Sequence, residues 1–317
     1  MKLVSAFLLA LATSAAHAQS WPTKTVRIIV PSPPGTAPDI ITRLYVDRLA
    51  PLWGKPVIVE NRPGAGGNVA MGAMVRCDKD EHVFASVMAT VVTLTPHLFK
   101  ELQYNIDTDV VPVAMIGTSP MMLTVNPSLG VNSVADLVKM AKEQPGKLNF
   151  ALPLLNSVPH LAGEMLGAAA GVKFYPVAYN GSVAAVTATM TGESQLYIDG
   201  LPPQVAQVRA GKLKALAVTS TSRLPGFESL PTLSESYPGL KAIGWFGVLA
   251  PTGTSAAVVS KVNADITRAI QIPEVVQRFA DLGVYPEPGS PQAAADFMKA
   301  ERALWAKAVR DAGIKPQ

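Results

Sequence analysis

The chain has 317 residues, a length that suits two domains of ordinary size. With 49% hydrophobic and 16% charged residues it reads as a well-buried globule, which excludes a disordered or fibrous chain. The net charge is +4, Lys and Arg are scattered, and no basic block is interleaved with aromatics, so nucleic acid is excluded as a partner while a mild positive field still draws small anions.

The first residues read as an address. Lys2 precedes an apolar run from Leu3 to Leu11, and Ala16-His17-Ala18 fits a cleavage site before Gln19, so residues 1–18 form a signal peptide. No later stretch approaches the roughly 20 apolar residues of a membrane span. The expectation is an exported, soluble, periplasmic protein. A single cysteine, Cys77, leaves no internal disulfide.

Thr25–Val30 is a short β-branched run and reads as a buried strand. The loop Pro31-Ser32-Pro33-Pro34-Gly35-Thr36-Ala37-Pro38 follows, and a helix is expected from Asp39, with Ile40, Ile41, Leu44 and Leu49 near helical spacing. A helix starting at a strand's carboxyl end offers unpaired N–H groups where open α/β sheets hold ligands. The candidate donors are the amides of Gly35, Thr36, Ala37 and Asp39, with the Thr36 hydroxyl. The pair Thr36 and Asp39 also fits a plain helix cap.

Further strands are expected at Pro56–Glu60 and Phe84–Val87, then a Thr-rich turn, a helix near Thr95–Lys100 and a strand from Met121 to Val125. Ser133 caps an amphipathic helix carrying Val134, Leu137, Val138 and Ala141 on one face. The middle of the chain alternates strands at Leu148–Ala151, Lys173–Val177, Gln195–Ile198 and Lys214–Thr219 with helices at His160–Ala170 and Val183–Thr191. The last third holds a strand at Trp245–Leu249, a helix with Val259, Val262, Ile266 and Ile270 on one face, and a final helix opened by Ser290-Pro291. This alternation predicts α/β lobes with parallel sheets and crossover helices, and a ligand cleft between the lobes.

Gly64-Ala65-Gly66-Gly67 lacks the third glycine of a dinucleotide fingerprint, because Val69 stands there, and reads as a turn into a helix. His82, His97 and His160 are too dispersed for a metal site, and no cofactor is expected. Ser157 and His160 could be a nucleophile and base, but no G-x-S-x-G elbow surrounds Ser157, and a cap by Ser157 explains the pair better. Tyr179-Asn180-Gly181-Ser182 is a strand-to-helix turn with Ser182 expected as its cap. Asp199 follows a strand and is either a ligand acceptor or a surface turn.

These segments, in this order, resemble the Bug family, the exported receptors of tripartite tricarboxylate transporters. The resemblance is carried by Trp21-Pro22, Arg27–Pro31 with Pro33-Pro34-Gly35 and Asp39, Val59–Gly67, Pro145–Leu148, His160–Glu164, and Tyr179 with Gly181-Ser182. It continues through Ala210-Gly211-Lys212, Leu216–Thr219, Pro231-Thr232, Trp245 with Gly247, and Ala250-Pro251. It implies a two-lobed, type II-like periplasmic binding protein, each lobe a mixed, mostly parallel sheet flanked by helices, that closes on a small organic carboxylate and performs no chemistry. Lobe 1 is expected from 21–122 and 245–317, and lobe 2 from 123–244. The implied pocket comprises Ser32, Pro34, Gly35, Thr36, Ala37 and Asp39; Ala89, Thr90 and Val91; and, in the second lobe, Asn156, Ser157, His160, Tyr179, Gly181, Ser182 and Asp199. The implied partner is a membrane permease or, alternatively, a sensor kinase, with the receptor itself a monomer.

The chain departs from the family pattern at Thr36, where a second glycine is usual, and at Ser32, where an aromatic is usual. It also departs at Leu152-Pro153-Leu154-Leu155-Asn156-Ser157, Asp80-Glu81-His82 and Asn180. Bulky apolar side chains in place of glycines point to an aromatic or more apolar carboxylate than citrate.

Overall fold

The computed structural model describes residues 21–77 and 82–314. The signal peptide expected at 1–18 and the Asp80-Glu81 part of the departing turn lie outside the described residues.

Strand β1 (Val26–Val30) runs into α1 (Ala37–Trp53), whose buried stripe Ile41, Tyr45, Leu49 and Trp53 recurs at helical spacing. Gly54 closes α1 in the left-handed region, its N–H returning to the Ala50 carbonyl. Strand β2 (Val57–Asn61) pairs parallel with β1, and a 3₁₀ turn at Ala65–Gly67 leads into α2 (Asn68–Val75). At Gly67 φ is +99°, and a Cβ there would lie 2.6 Å from Val91 Cγ2, so this turn needs glycine.

Strand β3 (Val83–Met88) lies parallel to β1 on its other side. In place of a Thr-rich turn and one helix near Thr95–Lys100, the chain turns helical at once, as α3 (Ala89–Thr93) and α4 (Thr95–Leu98). The β-branched run Thr90–Thr93 favours helix poorly, but Val91 and Val92 fall in the core and the Thr93 hydroxyl bonds the Ala89 carbonyl, so packing overrides propensity. Strand β4 (Val110–Val125) is 16 residues long, far beyond the expected Met121–Val125. Pro112 and Pro120 hide its first part in the sequence.

Helix α5 (Val134–Glu143) is capped by Ser133 as expected, the hydroxyl accepting from the Asp136 amide. Strand β5 (Asn149–Leu152), α6 (Val158–Ala170), β6 (Tyr175–Ala178), α7 (Ser182–Thr191) and β7 (Leu196–Gly200) then alternate. Pro202-Pro203 begins α8 (Pro202–Arg209), since the first turn of a helix needs no N–H there. Strand β8 (Lys214–Val218), α9 (Leu233–Ser236), β9 (Ile243–Pro251), α10 (Ala256–Ala269), α11 (Pro273–Asp281), β10 (Tyr285–Pro286) and α12 (Pro291–Asp311) complete the chain.

The strand order is β2-β1-β3-β9-β4-β7-β5-β6, with β10 and β8 also pairing β4. Strand β4 pairs antiparallel with β9 over Val110 to Pro120, with β7 over Met121 to Val125 and with β8 over Met122 to Val125. One strand is thus shared by two sheet halves. The first half is covered on one face by Ile41, Tyr45, Val262 and Ile266 of α1 and α10, and on the other by Met71, Met74 and Met298 of α2 and α12. Around the second half, Leu123, Phe150 and Ile198 pack with Leu137, Leu161 and Leu166 of α5 and α6.

Helix α12 takes part in both cores. Ala294 and Met298 belong to the first, while Trp305, Ala308 and Val309 belong to the second. Between them Glu301, 1% exposed, accepts from Lys241 Nζ (2.9 Å) and from Trp305 Nε1 (3.0 Å).

Candidate functional site

Parallel strands β1, β2 and β3 all end on one edge, at Val30, Asn61 and Met88, and β5, β6 and β7 end on another, at Leu152, Ala178 and Gly200. The register brings the two edges together. Met88 pairs with Phe246, Phe246 with Gly117, Ser119 with Gly244, and Met121 with Gly200. Both sets of carboxyl ends therefore converge where β4 and β9 pass between the halves, which is the topological switch where open α/β sheets hold ligands. A cavity of about 180 Å³ lies there. Its walls are Met88, Met121, Val158, Pro159, Trp245 and Phe246, with Thr90, Ser119 and Asp199 as polar members.

Of the expected pocket residues, Ala89, Thr90 and Asp199 line this cavity, and Val158-Pro159 sits between Ser157 and His160. The loop Ser32–Asp39 lies at the neighbouring end of β1, with the Thr42 hydroxyl of α1 bonded to Ser86 of β3 (2.8 Å). Ser119, Gly244, Trp245 and Phe246 have no local signature of a ligand site. They come together only through the pairing of β4 with β9, more than 120 positions apart in the chain.

The loop is fixed by one carboxylate. Asp39, 3% exposed, accepts from the Gly35 amide (2.9 Å), Arg43 Nε (2.9 Å) and Asn61 Nδ2 (2.9 Å). Burial pushes its pKa up, but the bonds from Arg43, Gly35 and Asn61 outweigh burial and hold it at about 2. The Gly35 amide, expected as a free donor, is thus already committed. Thr36 stands at the cap position of α1, yet its hydroxyl donates to Ser32 Oγ (2.9 Å) and Pro33 O (2.7 Å) and makes no capping bond. What remains for an anion on this side is the first-turn amides of α1, which have no intrahelical acceptor.

On the second edge, Gly181 (φ +91°) is the cap of α7, and Ser182, expected as the cap, is its first residue. The Ser182 hydroxyl donates instead to Asp199 Oδ2 (2.5 Å), as does the Tyr197 hydroxyl (2.5 Å), and the Gly200 amide donates to Oδ1 (2.8 Å). Asp199 lies inside β7 with its carboxylate largely satisfied by its own chain. Burial, then the Asp199 charge, raises the Tyr197 pKa, so this phenol stays protonated. The Tyr179 hydroxyl meets Glu193 Oε1 and Ser194 Oγ, each at 3.0 Å. The Gly181 amide donates to Pro153 O (3.2 Å), tying the 153–157 loop to this turn. Leu154, Leu155 and Val183 stand out at this edge, 65%, 50% and 76% exposed.

Residues 25–314 match the family model described as the tripartite tricarboxylate transporter family receptor. The chain belongs to this family. A solved R. palustris protein with adipate is 32% identical, covering 94% of this chain and 100% of that one, with a TM-score of 0.78. The periplasmic binding protein BugD is 28% identical over 94% of this chain and 100% of its own, with a TM-score of 0.74. MatC from Rhodopseudomonas palustris with bound malate is 28% identical over 91% of this chain and 100% of that one, with a TM-score of 0.73. The expected fold, a type II-like periplasmic binding protein of α/β lobes with mixed sheets flanked by helices, is the fold found.

Members of this receptor family bind a solute and catalyse nothing, and the serine–histidine pair agrees. Ser157 caps α6, accepting from the His160 amide (3.5 Å) and donating to Leu154 O (2.6 Å). His160 Nδ1 accepts from the amide of Asn156, whose φ is +56°, and Nε2 faces Glu164 at 3.7 Å. Burial lowers the His160 pKa against the opposing pull of Glu164. The imidazole is a buried strut for the 153–157 loop, without a bond to the Ser157 hydroxyl. Among the described residues no helix is long and apolar enough to cross a membrane.

Proposed function

We propose that this protein is a periplasmic receptor that captures a small organic carboxylate with an apolar or aromatic body, by closure of its two lobes. It then delivers that acid to a tripartite tricarboxylate-type membrane permease. The export address is residues 1–18. The lobes are 21–122 with 245–317, and 123–244, with the last turns of α12 leaning on the second. The observation that carries this reading is the meeting of both sets of strand carboxyl ends on one cavity with apolar walls, the hydroxyls of Thr90 and Ser119, and the Asp199 carboxylate already held by Ser182, Tyr197 and Gly200.

The carboxylate is held at the loop side by the amides of Thr36 and Ala37, aided by Ala89 and Thr90. The body of the acid lies toward Leu154, Leu155 and Val183, and Tyr179, Gly181, Ser182 and Asp199 frame its far side. The R. palustris relative with adipate supports an acid with a long apolar middle. MatC, at 28% identity, holds malate, a short polar diacid, and so keeps such acids in the panel.

A thermal-shift panel of benzoate, 4-hydroxybenzoate, adipate, malate and citrate tests this. An acid at 100 times its Kd adds about 2.7 kcal/mol of stability, which moves Tm by roughly 5–10 °C. Benzoate-like acids or adipate should give the largest shift. The largest shift with citrate and none with the aromatic acids would count against the apolar body. Mass spectrometry of the acid that copurifies identifies the cargo directly.

A further inference from the structure

The tryptophans of this chain are not treated alike. Trp53 Nε1 donates to the buried Asp265 (2.7 Å), and Trp305 Nε1 donates to the buried Glu301 (3.0 Å). Trp245, 1% exposed and among the largest fully buried side chains, has no acceptor for its indole N–H. Tyr45 and Thr267 also carry buried hydroxyls without a bonded acceptor, but neither residue lines the cavity at the strand ends, and Trp245 does. A buried donor without a partner is costly, and native structures keep few of them.

The other polar members of the cavity sharpen the point. Asp199 is satisfied by Ser182, Tyr197 and Gly200. Among the described residues no hydrogen-bond partner is present for the Thr90 and Ser119 hydroxyls. No Lys, Arg or His lines the cavity. The uncommitted groups here are therefore neutral, and Trp245 among them can only donate. Such a group matches an oxygen acceptor on the solute: a second carboxylate, a carbonyl or an ether oxygen.

Resting on the receptor reading above, we infer that Trp245 is a specificity-determining residue whose indole N–H donates to an oxygen at the end of the bound acid distal to the Thr36–Ala37 loop. The preferred cargo is then an acid with an apolar middle and an acceptor at its far end. A simple fatty or benzoic acid fills the walls and leaves the indole unpaired. Strand β9 places Trp245 on the segment that passes between the sheet halves, beside Gly244.

The test pairs adipate with hexanoate, which keeps the chain and lacks the distal carboxylate, and terephthalate with benzoate likewise. Affinities are measured by calorimetry on wild type and on Trp245→Phe, which keeps a ring and loses the N–H. For the tighter-binding pair, the diacid should lose about five- to tenfold in affinity in Trp245→Phe, the worth of one neutral hydrogen bond, and the monoacid less than twofold. An equal loss for both members of the pair, or none for the diacid, overturns the assignment while the receptor reading stands. Wild type that binds none of the four acids overturns that reading and this inference together. An independent readout needs no variant: in ¹⁵N-indole spectra of the wild type, the Trp245 N–H resonance should move downfield on saturation with the diacid while those of Trp53 and Trp305 stay. An unmoved Trp245 resonance in the saturated protein also overturns the inference.

Discussion

The Asp39 carboxylate reaches back four residues to accept the Gly35 amide at 2.9 Å, and in doing so it fixes the loop between β1 and α1 from beneath. The same group takes Arg43 and Asn61, so one buried side chain joins the loop, the helix and the end of β2. Asp39 is thereby a positioning residue for the loop, its oxygens already occupied.

Asp39→Asn keeps the shape and loses the charge-assisted bonds, and should cost about 1–3 kcal/mol in urea unfolding at pH 7. Its pKa is depressed in the folded protein, from 3.8 to about 2, so the stability it contributes is full above pH 4 and is lost as pH falls toward 2. Wild type should lose up to about 2 kcal/mol across that window from this group, less whatever solvent screens at the half-exposed Arg43. Asp39→Asn should lack this share of the acid slope. Parallel acid slopes for the two proteins would sink the account.

His160 runs in the same direction for a different reason. Burial lowers its pKa below the usual 6.5, so the unfolded chain takes a proton before the folded one does, and stability falls as pH drops below 6.5. An NMR titration should place its midpoint below 6.5. Because Glu164 pulls the other way, Glu164→Gln should lower that midpoint further. A rise in Glu164→Gln would contradict the pull assigned to the Glu164 charge.

Gly163 in α6 faces the ring of Phe150, and a Cβ there would sit 1.9 Å from Cε1. Gly163→Ala overpacks the second core and should cost about 1–3 kcal/mol. Phe150→Leu also destabilises, by making a cavity, yet the double variant should recover at least about 1 kcal/mol of the summed losses. Strict additivity in urea unfolding would show that the two side chains do not compete for the same space.

Removal of Asp199 takes an acceptor from two hydroxyls at once. Asp199→Ala leaves Ser182 Oγ without its acceptor and Tyr197 Oη with only the Ser182 carbonyl at 3.3 Å, and should cost about 2 kcal/mol, against about 1 kcal/mol for Ser182→Ala, which leaves the Tyr197–Asp199 bond in place. Equal Tm losses for the two variants would show that Tyr197 gains nothing from Asp199.

Leu154 and Leu155 are exposed, so Leu154→Ser with Leu155→Ser should move stability by about 0.5 kcal/mol or less per site. Affinity for the acid with the most apolar body should fall about tenfold, with malate or citrate affected less. An unchanged ranking of acids would separate these leucines from the pocket.

Much of this fold is legible locally. Ser133, Ser157 and Ser290 cap helices as their sequences announce, and small-residue turns mark the strand ends that meet at the cavity. Thr36 and Ser182 carry the same cap chemistry, but the Thr36 hydroxyl turns back to Ser32 and Pro33 within its own loop, while Ser182 falls one position inside α7 and donates to Asp199 on β7, an acceptor that the local sequence does not announce. The first part of β4 is obscured by Pro112 and Pro120, and Pro112 borders one of two register shifts that only the partner strand reveals. Ser119 and Trp245 stay silent for a related reason, since a cavity built by antiparallel strands from distant parts of the chain has no contiguous motif.

Helix α12, with 21 residues, is a rod about 30 Å long whose two ends are embedded in different cores. A rod held at both ends makes the angle between the sheet halves a property of the helix as much as of β4 and β9. Any change in that angle must slide Trp305, Ala308 and Val309 across the second core or bend the rod near Glu301. The C-terminal helix therefore sets the stiffness of the mouth from a position remote from whatever the mouth holds.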